Sequence, residues 1–256
     1  MRKVLLASAL LAGIIVVSHA TAQPDPALFK LFRPYNQVMS RNPASLAMNQ
    51  GVQKELKMDE DQTKAVQEKL AGRVGFGFGG FGKGKGGGGG EAAKERFTKI
   101  MEKFESLKDV PEDQLEDKIK EAFKDDLEGT MKDVEKILKP EQMKRLMQIT
   151  RQNAGAGYLA CSEGIKELDL KDEQKSKIKE IYKELQKDID ELFRGGGGGG
   201  KGAFSPETRD KMLSLSKEAK DKAIDALSKE QKEKYKELTG EPFEVKLEFR
   251  RPKKDD

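Results

Sequence analysis

The chain contains no tryptophan, a single cysteine and a single histidine, and aromatic residues make up only 6% of it. Each shortage removes a class of chemistry. The one histidine, His19, sits in an N-terminal stretch with the marks of a secretory leader. Arg2 and Lys3 precede the apolar run Val4–Val17, and Ala20-Thr21-Ala22 is a small-x-small cleavage site. The run is too short to span a bilayer, and no longer one follows it, so no membrane insertion is expected after cleavage. Cleavage after Ala22 gives a periplasmic or secreted chain without histidine. That excludes Ser-His and Cys-His catalysis and the Glu-x-x-His metal sites of helical bundles. One cysteine and scattered carboxylates are poor ligands for soft metals, so neither a metal nor another cofactor is expected. Cys161 cannot form an intramolecular disulfide in an oxidising compartment and reads as a small, part-buried apolar residue, the alternative being an intermolecular disulfide.

Charge of one sign is also missing. Taking Arg2 and Lys3 from the 49 basic residues leaves 47 against 45 acidic. No face-long block of Lys and Arg stands without interleaved Glu and Asp, apart from the short cluster Arg250-Arg251-Pro252-Lys253-Lys254, which argues against nucleic acid as a partner. Calcium needs only oxygen ligands, and Lys124–Glu135, "KDDLEGTMKDVE", has Gly129 at the sixth loop position and Glu135 at the twelfth. Its first loop position is Lys124 where a carboxylate is required, and Gly129 reads instead as a helix interruption.

What the chain has in abundance is charged residues, at 37%, and a repeated short pattern. "MDEDQTKAV" from Met58, "LKPEQMKRL" from Leu138, "LKDEQKSKI" from Leu170 and "LSKEQKEKY" from Leu227 each place Gln four residues after an apolar one. The glutamines are Gln62, Gln142, Gln174 and Gln231. The pattern is a helix start. Asp59 and Ser228 can cap through a side-chain oxygen, with Gln62 and Gln231 reaching back, and Pro140 suits a first helical position. Lys139 and Lys171 lack that oxygen, so those two copies are degenerate. A cap contributes about 1 kcal/mol, so the glutamines read as structural rather than catalytic.

The copies fall into pairs. Copies one and three follow a shared Lys-Glu-Leu, at Lys54-Glu55-Leu56 and Lys166-Glu167-Leu168, and a glycine tract separates the members of each pair. The chain therefore reads as a leader (1–22), an N-terminal segment (23–39), a first helical repeat (40–156), a second (157–242), and an extended basic tail (243–256). The tracts at 75–90 and 195–202 resemble phosphate loops as far as Gly-Lys. However, Gly84 and Gly202 stand where the hydroxyl residue belongs and no strand precedes either, so both read as connectors, with Phe76, Phe78 and Phe81 leaving open a segment that touches an apolar partner. The longer one would span roughly 20–24 Å.

Apolar spacing predicts an all-α protein of elongated antiparallel, coiled-coil-like hairpins. Ile178, Ile181, Leu185 and Ile189 mark one long helix, opposed by Met212, Leu215, Ala219 and Ala223. Phe97, Met101 and Phe104 mark the first repeat's equivalent, and Pro111 opens an additional segment through Leu115, Ile119, Phe123 and Leu127. These stripes either pack on one another or, at Ile178, Ile181, Leu185, Ile189, Phe97, Met101 and Phe104, form an apolar face for a partner. Burial of the first set against the second would join the repeats into a monomeric pseudo-dimer. Phe243, Val245, Leu247 and Phe249 alternate as a short strand would.

The apolar-x-x-x-Gln helix starts in a charge-rich exported chain resemble the LTxxQ-motif family of periplasmic proteins, which includes Spy-type and CpxP-type stress proteins. Asp59, Lys139, Lys171 and Ser228 stand where that motif has Thr. The resemblance implies thin helical hairpins with two motifs per protomer and, for Spy-type members, an ATP-independent chaperone that holds unfolding clients. The expected function is thus a non-enzymatic exported binding protein with a holdase-like activity toward unfolded clients. The alternative is a structural or signalling-accessory protein with one fixed protein partner.

Overall fold

The computed structural model describes residues 26–70, 91–195 and 205–245. The leader, the tract at 75–90, residues 196–202 of the second tract, and the tail beyond Val245 lie outside them. Among the described residues the fold is all helical, with no strand. The elements are α1 (Pro26–Ser40), α2 (Pro43–Ala47), α3 (Gln50–Glu55), α4 (Glu60–Leu70), α5 (Glu91–Glu105), α6 (Glu112–Ala122) and α7 (Lys124–Ile137). They continue as α8 (Pro140–Ala154), α9 (Ala156–Ala160), α10 (Ser162–Glu167), α11 (Asp172–Gly195), α12 (Pro206–Asp225) and α13 (Lys229–Thr239). None of these is long and apolar enough to cross a membrane.

Three apolar clusters organise them. The first collects Ala44, Val52, Leu56, Val66, Leu70, Val134, Leu138, Leu146 and Ile149 from α2–α4, α7 and α8. The second collects Tyr158, Leu159, Leu168, Leu170, Ile178, Leu185, Ala219, Ala223, Leu227 and Tyr235 from α9–α13. The third sets Leu31, Tyr35 and Val38 of α1 against Phe104, Leu107, Leu115, Ile119 and Phe123.

Four sequence expectations change here. Phe104 is fully buried and Met101 partly buried in the third cluster, whereas Ile178, Leu185, Ile181 and Ile189 belong to the second. Among the described residues no common seam forms, and these six face the protein's own cores rather than an open partner surface. The side chain of Phe97 lies outside the described residues. What links α1 to α11 is polar: Arg33 Nε donates to Gln186 Oε1 at 3.0 Å, and Arg33 pairs with Asp190. The helix that packs against α4 is α7, not α5, because Val134 and Leu138 bury against Val66 and Leu70. The helix interruption falls at Phe123, not Gly129, and splits the segment expected to run from Pro111 through Leu127. Phe123 is pinned between Tyr35 and Phe104, and Thr130 beside Gly129 is buried with its hydroxyl donating to Asp126 O and accepting from Asn42 Nδ2. That anchoring outweighs the cost of about 1 kcal/mol for a helical glycine. Finally, Phe243 and Val245 are irregular chain, not strand, among the described residues.

The repeated glutamines do more than cap. Gln62 Oε1 accepts from Asp59 N–H at 3.2 Å while its Nε2 donates to Ile137 O at 2.9 Å and Gln142 Oε1 at 2.8 Å. Gln142 answers in kind. It accepts from Lys139 N–H at 2.9 Å and donates to Leu56 O at 2.9 Å and Gln62 Oε1 at 3.1 Å. Each amide holds its own helix start and the chain end that precedes its partner's helix. The same arrangement recurs for Gln174 and Gln231, which reach Ala226 O and Leu168 O at 2.9 and 3.2 Å and each other at 2.7 and 3.1 Å. Lys139 and Lys171 supply no side-chain cap, yet Gln142 and Gln174 still bind the backbone there.

Two of the four carbonyls these clasps read, Leu56 O and Leu168 O, are presented by matching turns. Lys57 and Asp169 both have φ 50°, a left-handed conformation unusual for side-chain-bearing residues. In the first turn Met58 N–H bonds Gln53 O and Lys57 N–H bonds Lys54 O. In the second, Leu170 N–H bonds Ile165 O and Asp169 N–H bonds Lys166 O. Both are Schellman ends, which satisfy the last helical carbonyls. Removing one buried amide of a clasp should therefore cost about 1–3 kcal/mol, the penalty of orphaned backbone groups. In urea unfolding, Gln62→Ala and Gln142→Ala should couple by about 1 kcal/mol, while Gln62→Ala and Gln231→Ala should simply add. Additivity in the first pair would mean that the amides act only as separate caps.

Candidate functional site

A cleft of about 780 Å³ opens between α7 and α8 on one side and the α1–α2 turn, α6, α9 and α10 on the other. The helical period creates its floor. Leu127 and Met131 lie one turn apart on α7, on a stripe with Lys124, Glu128, Lys132 and Glu135, while Val134 of the same helix buries in the first cluster and Thr130 against Asn42. From α8, Met147 and Ala154 complete the apolar floor. Neither methionine is fully buried.

The rim is a chain of alternating charges. Arg41 grips Glu116 with two parallel hydrogen bonds of 2.8 Å. Glu116 is also 3.0 Å from Lys120 Nζ, which reaches Glu163 Oε2 at 2.9 Å and Ser162 Oγ at 3.1 Å. On the far side Arg151 Nη2 donates to Glu167 Oε1 at 2.7 Å, and Tyr158 O–H donates to the other Glu167 oxygen. The Arg151 guanidinium lies 5.8 Å from the Tyr158 ring centroid. Cys161 is buried at this edge with its thiol donating to Tyr158 O at 3.1 Å, and burial pushes that thiol up from its ordinary value.

These environments fix charge states rather than poise them for proton transfer. Partial burial alone would raise the Glu163 carboxyl, but the hydrogen bond from Lys120 and one from the backbone override it and hold it at about 2. Glu116 is lowered likewise, its desolvation overcome by Arg41 and Lys120. Lys120 is raised, because Glu163 and Glu116 outweigh its own burial. A carboxylate whose folded pKa is depressed stabilises the fold above its unfolded value. That contribution disappears as the pH falls through the folded value. Stability carried by Glu163 should therefore be complete above about pH 4.5 and lost toward pH 2. Lys120→Met should flatten the acid limb of a thermal-unfolding pH profile. An unchanged acid limb would remove the Lys120 pair from the account.

Arg41, Lys120, Glu163, Met131 and Met147 were not singled out from the sequence. The available signal was Leu127 and Met131, a second apolar stripe on a helix whose Thr130 and Val134 already served the core. Of the expected partner-face residues whose side chains are described, none borders this cleft. The motif residues Met58, Asp59, Gln62, Leu138, Pro140, Gln142, Leu170, Gln174, Leu227, Ser228 and Gln231 lie instead at the helix starts described above. Among the described residues, no group of three or more His, Cys, Asp or Glu is placed to hold a metal. No family model, curated protein or solved structure matches the chain.

Proposed function

We propose that this chain is an exported, non-enzymatic binding protein that holds apolar segments of unfolding polypeptides without ATP, and that it is a tandem duplication of a Spy-like helical unit. The observation that carries the binding reading is the cleft, with its methionine floor and its rim of both charge signs. Methionine is unbranched and polarisable, so it conforms to varied apolar side chains. A rim of paired opposite charges disfavours no particular sign of client. Support for the duplication comes from the two glutamine clasps, the two Schellman ends with equal φ, and the order of short helix, helix start and final helix in each half. One chain then carries the four motif copies of two protomers of the resembled family, so the protein is read as a monomer.

The test is suppression of aggregation of an unrelated unfolding protein, without ATP, by the mature chain. Met131→Glu with Met147→Glu should weaken suppression at least tenfold while helix content holds. A wild-type chain that leaves aggregation unchanged sinks the holdase reading. The fixed charge chain from Arg41 to Glu163 suits a single complementary partner as well. Stoichiometric binding of one protein, abolished by the same two substitutions, would favour that alternative.

A further inference from the structure

We propose that the segment beyond Pro242 is a strap seated on the first helical half, and that its seat is a recognition site for an extended polypeptide with apolar side chains at alternate positions. This goes beyond the function proposed above, since neither Gln152 nor Arg145, which build the seat, borders the cleft.

The chain crosses between its two principal cores twice. At Gly155 it leaves α8, whose Leu146 and Ile149 serve the first cluster, and enters α9 in the second. At Gly240 it leaves α13, whose Tyr235 serves the second cluster, and returns to the first. Both crossings are glycines with positive φ, 52° and 64°, which lets the helix end and the chain reverse. The second return is anchored. Gln152 Nε2 donates to Glu241 O at 2.7 Å, its Oε1 accepts from Phe243 N–H at 2.8 Å, and Arg145 Nη1 donates to Glu241 O at 2.9 Å.

That pattern is specific to extended backbone. The C=O of one residue and the N–H of the residue two further on lie along one edge of an extended chain. Bonding both is what a neighbouring strand does. The Gln152 side-chain amide supplies an acceptor and a donor in the same orientation, so it stands in for a strand neighbour on a helical surface. Recognition through the backbone leaves side chains to alternate, and Phe243 and Val245 both pack, partly buried, on the first cluster. In sequence the alternation continues at Leu247 and Phe249, and eleven residues follow the last described one. The occupant is therefore the chain's own C-terminal segment, already engaged at its first residues.

A fluorescein-labelled peptide of residues 242–256 is the probe, titrated against the full mature chain. Wild type, whose seat is filled, should take it up at least tenfold more weakly than the full-length Phe243→Ser/Val245→Ser variant. Equal uptake by the two overturns the proposal. Should the double variant lose helix content, hydrogen exchange decides instead. Residues 243–249 should be protected in wild type and exchange at least tenfold faster in Gln152→Ala, with α13 unchanged. A wild-type tail that exchanges as free peptide overturns it too. Neither readout depends on client holding, so failure of the aggregation test leaves this result standing.

Discussion

Gly164→Ala should lower the melting temperature by roughly 6–12 °C, corresponding to about 3 kcal/mol in a chain of this size. The addition is one methyl group on a helix, ordinarily a stabilising change. Here α10 folds back so closely on α9 that a Cβ at Gly164 would lie 1.9 Å from Tyr158 O, 2.8 Å from Tyr158 C and 3.3 Å from Leu159 Cα. All three are backbone atoms, so no flexible side chain can swing aside and the two helices must separate. Tyr158 and Leu159 are core residues of the second cluster, so the disturbance reaches its centre. The only cysteine reports on it directly. Cys161 is buried and its thiol bonds the same Tyr158 carbonyl, so its reaction with an aromatic disulfide reagent should accelerate at least tenfold in the variant. A melting shift under about 2 °C with unchanged thiol reactivity would contradict the packing described. Gly240→Ala is the contrast: the three atoms nearest its Cβ all belong to the Gln148 side chain, which can move, and the strain there is mainly that of the positive φ.

Local chemistry made the helix starts legible in advance, because a cap depends on residues three apart. Asp59 with Gln62 and Ser228 with Gln231 form reciprocal caps as their spacing requires. The all-helical class followed equally well from apolar period and charge. Which helix lies against which was not legible. The stripe at Phe97, Met101 and Phe104 has the right period for a partner to α4, but period says only that a face is apolar, not which face it meets. The selection of α7 rests on Val134 and Leu138 filling space beside Val66 and Leu70, a long-range fit with no local signature. Gly129 shows the same limit in reverse: its propensity points to a break, and the buried Asn42–Thr130 contact holds the helix through it. The cleft was invisible for a further reason. Its lining comes from many elements that only tertiary packing brings together, and Arg41 and Glu163 are distant in sequence although Glu116 and Lys120 link them.

Phe104→Ala should cost about 3–5 kcal/mol, and the loss should stay in one part of the molecule. Phe104 is fully buried at the centre of the third cluster, where edge-to-face contacts surround it. Its ring lies 5.0 Å from Phe32, 5.4 Å from Tyr35 and 6.1 Å from Phe123. Each such pair adds about 0.5–1.5 kcal/mol beyond area burial, and truncation to alanine removes all three together with the side chain's volume. The cluster is built from α1, α5, α6 and the Phe123 junction, and it meets α11 through polar contacts such as Arg33 with Gln186. Hydrogen exchange should therefore show α1, α5 and α6 losing protection while α11, α12 and α13 keep theirs. The result discriminates between two architectures. Had Phe97, Met101 and Phe104 packed against Ile181, Leu185 and Ile189, the same substitution would loosen α11 as much as α5. Equal loss of protection in both helices would restore that shared seam and overturn the three-cluster description.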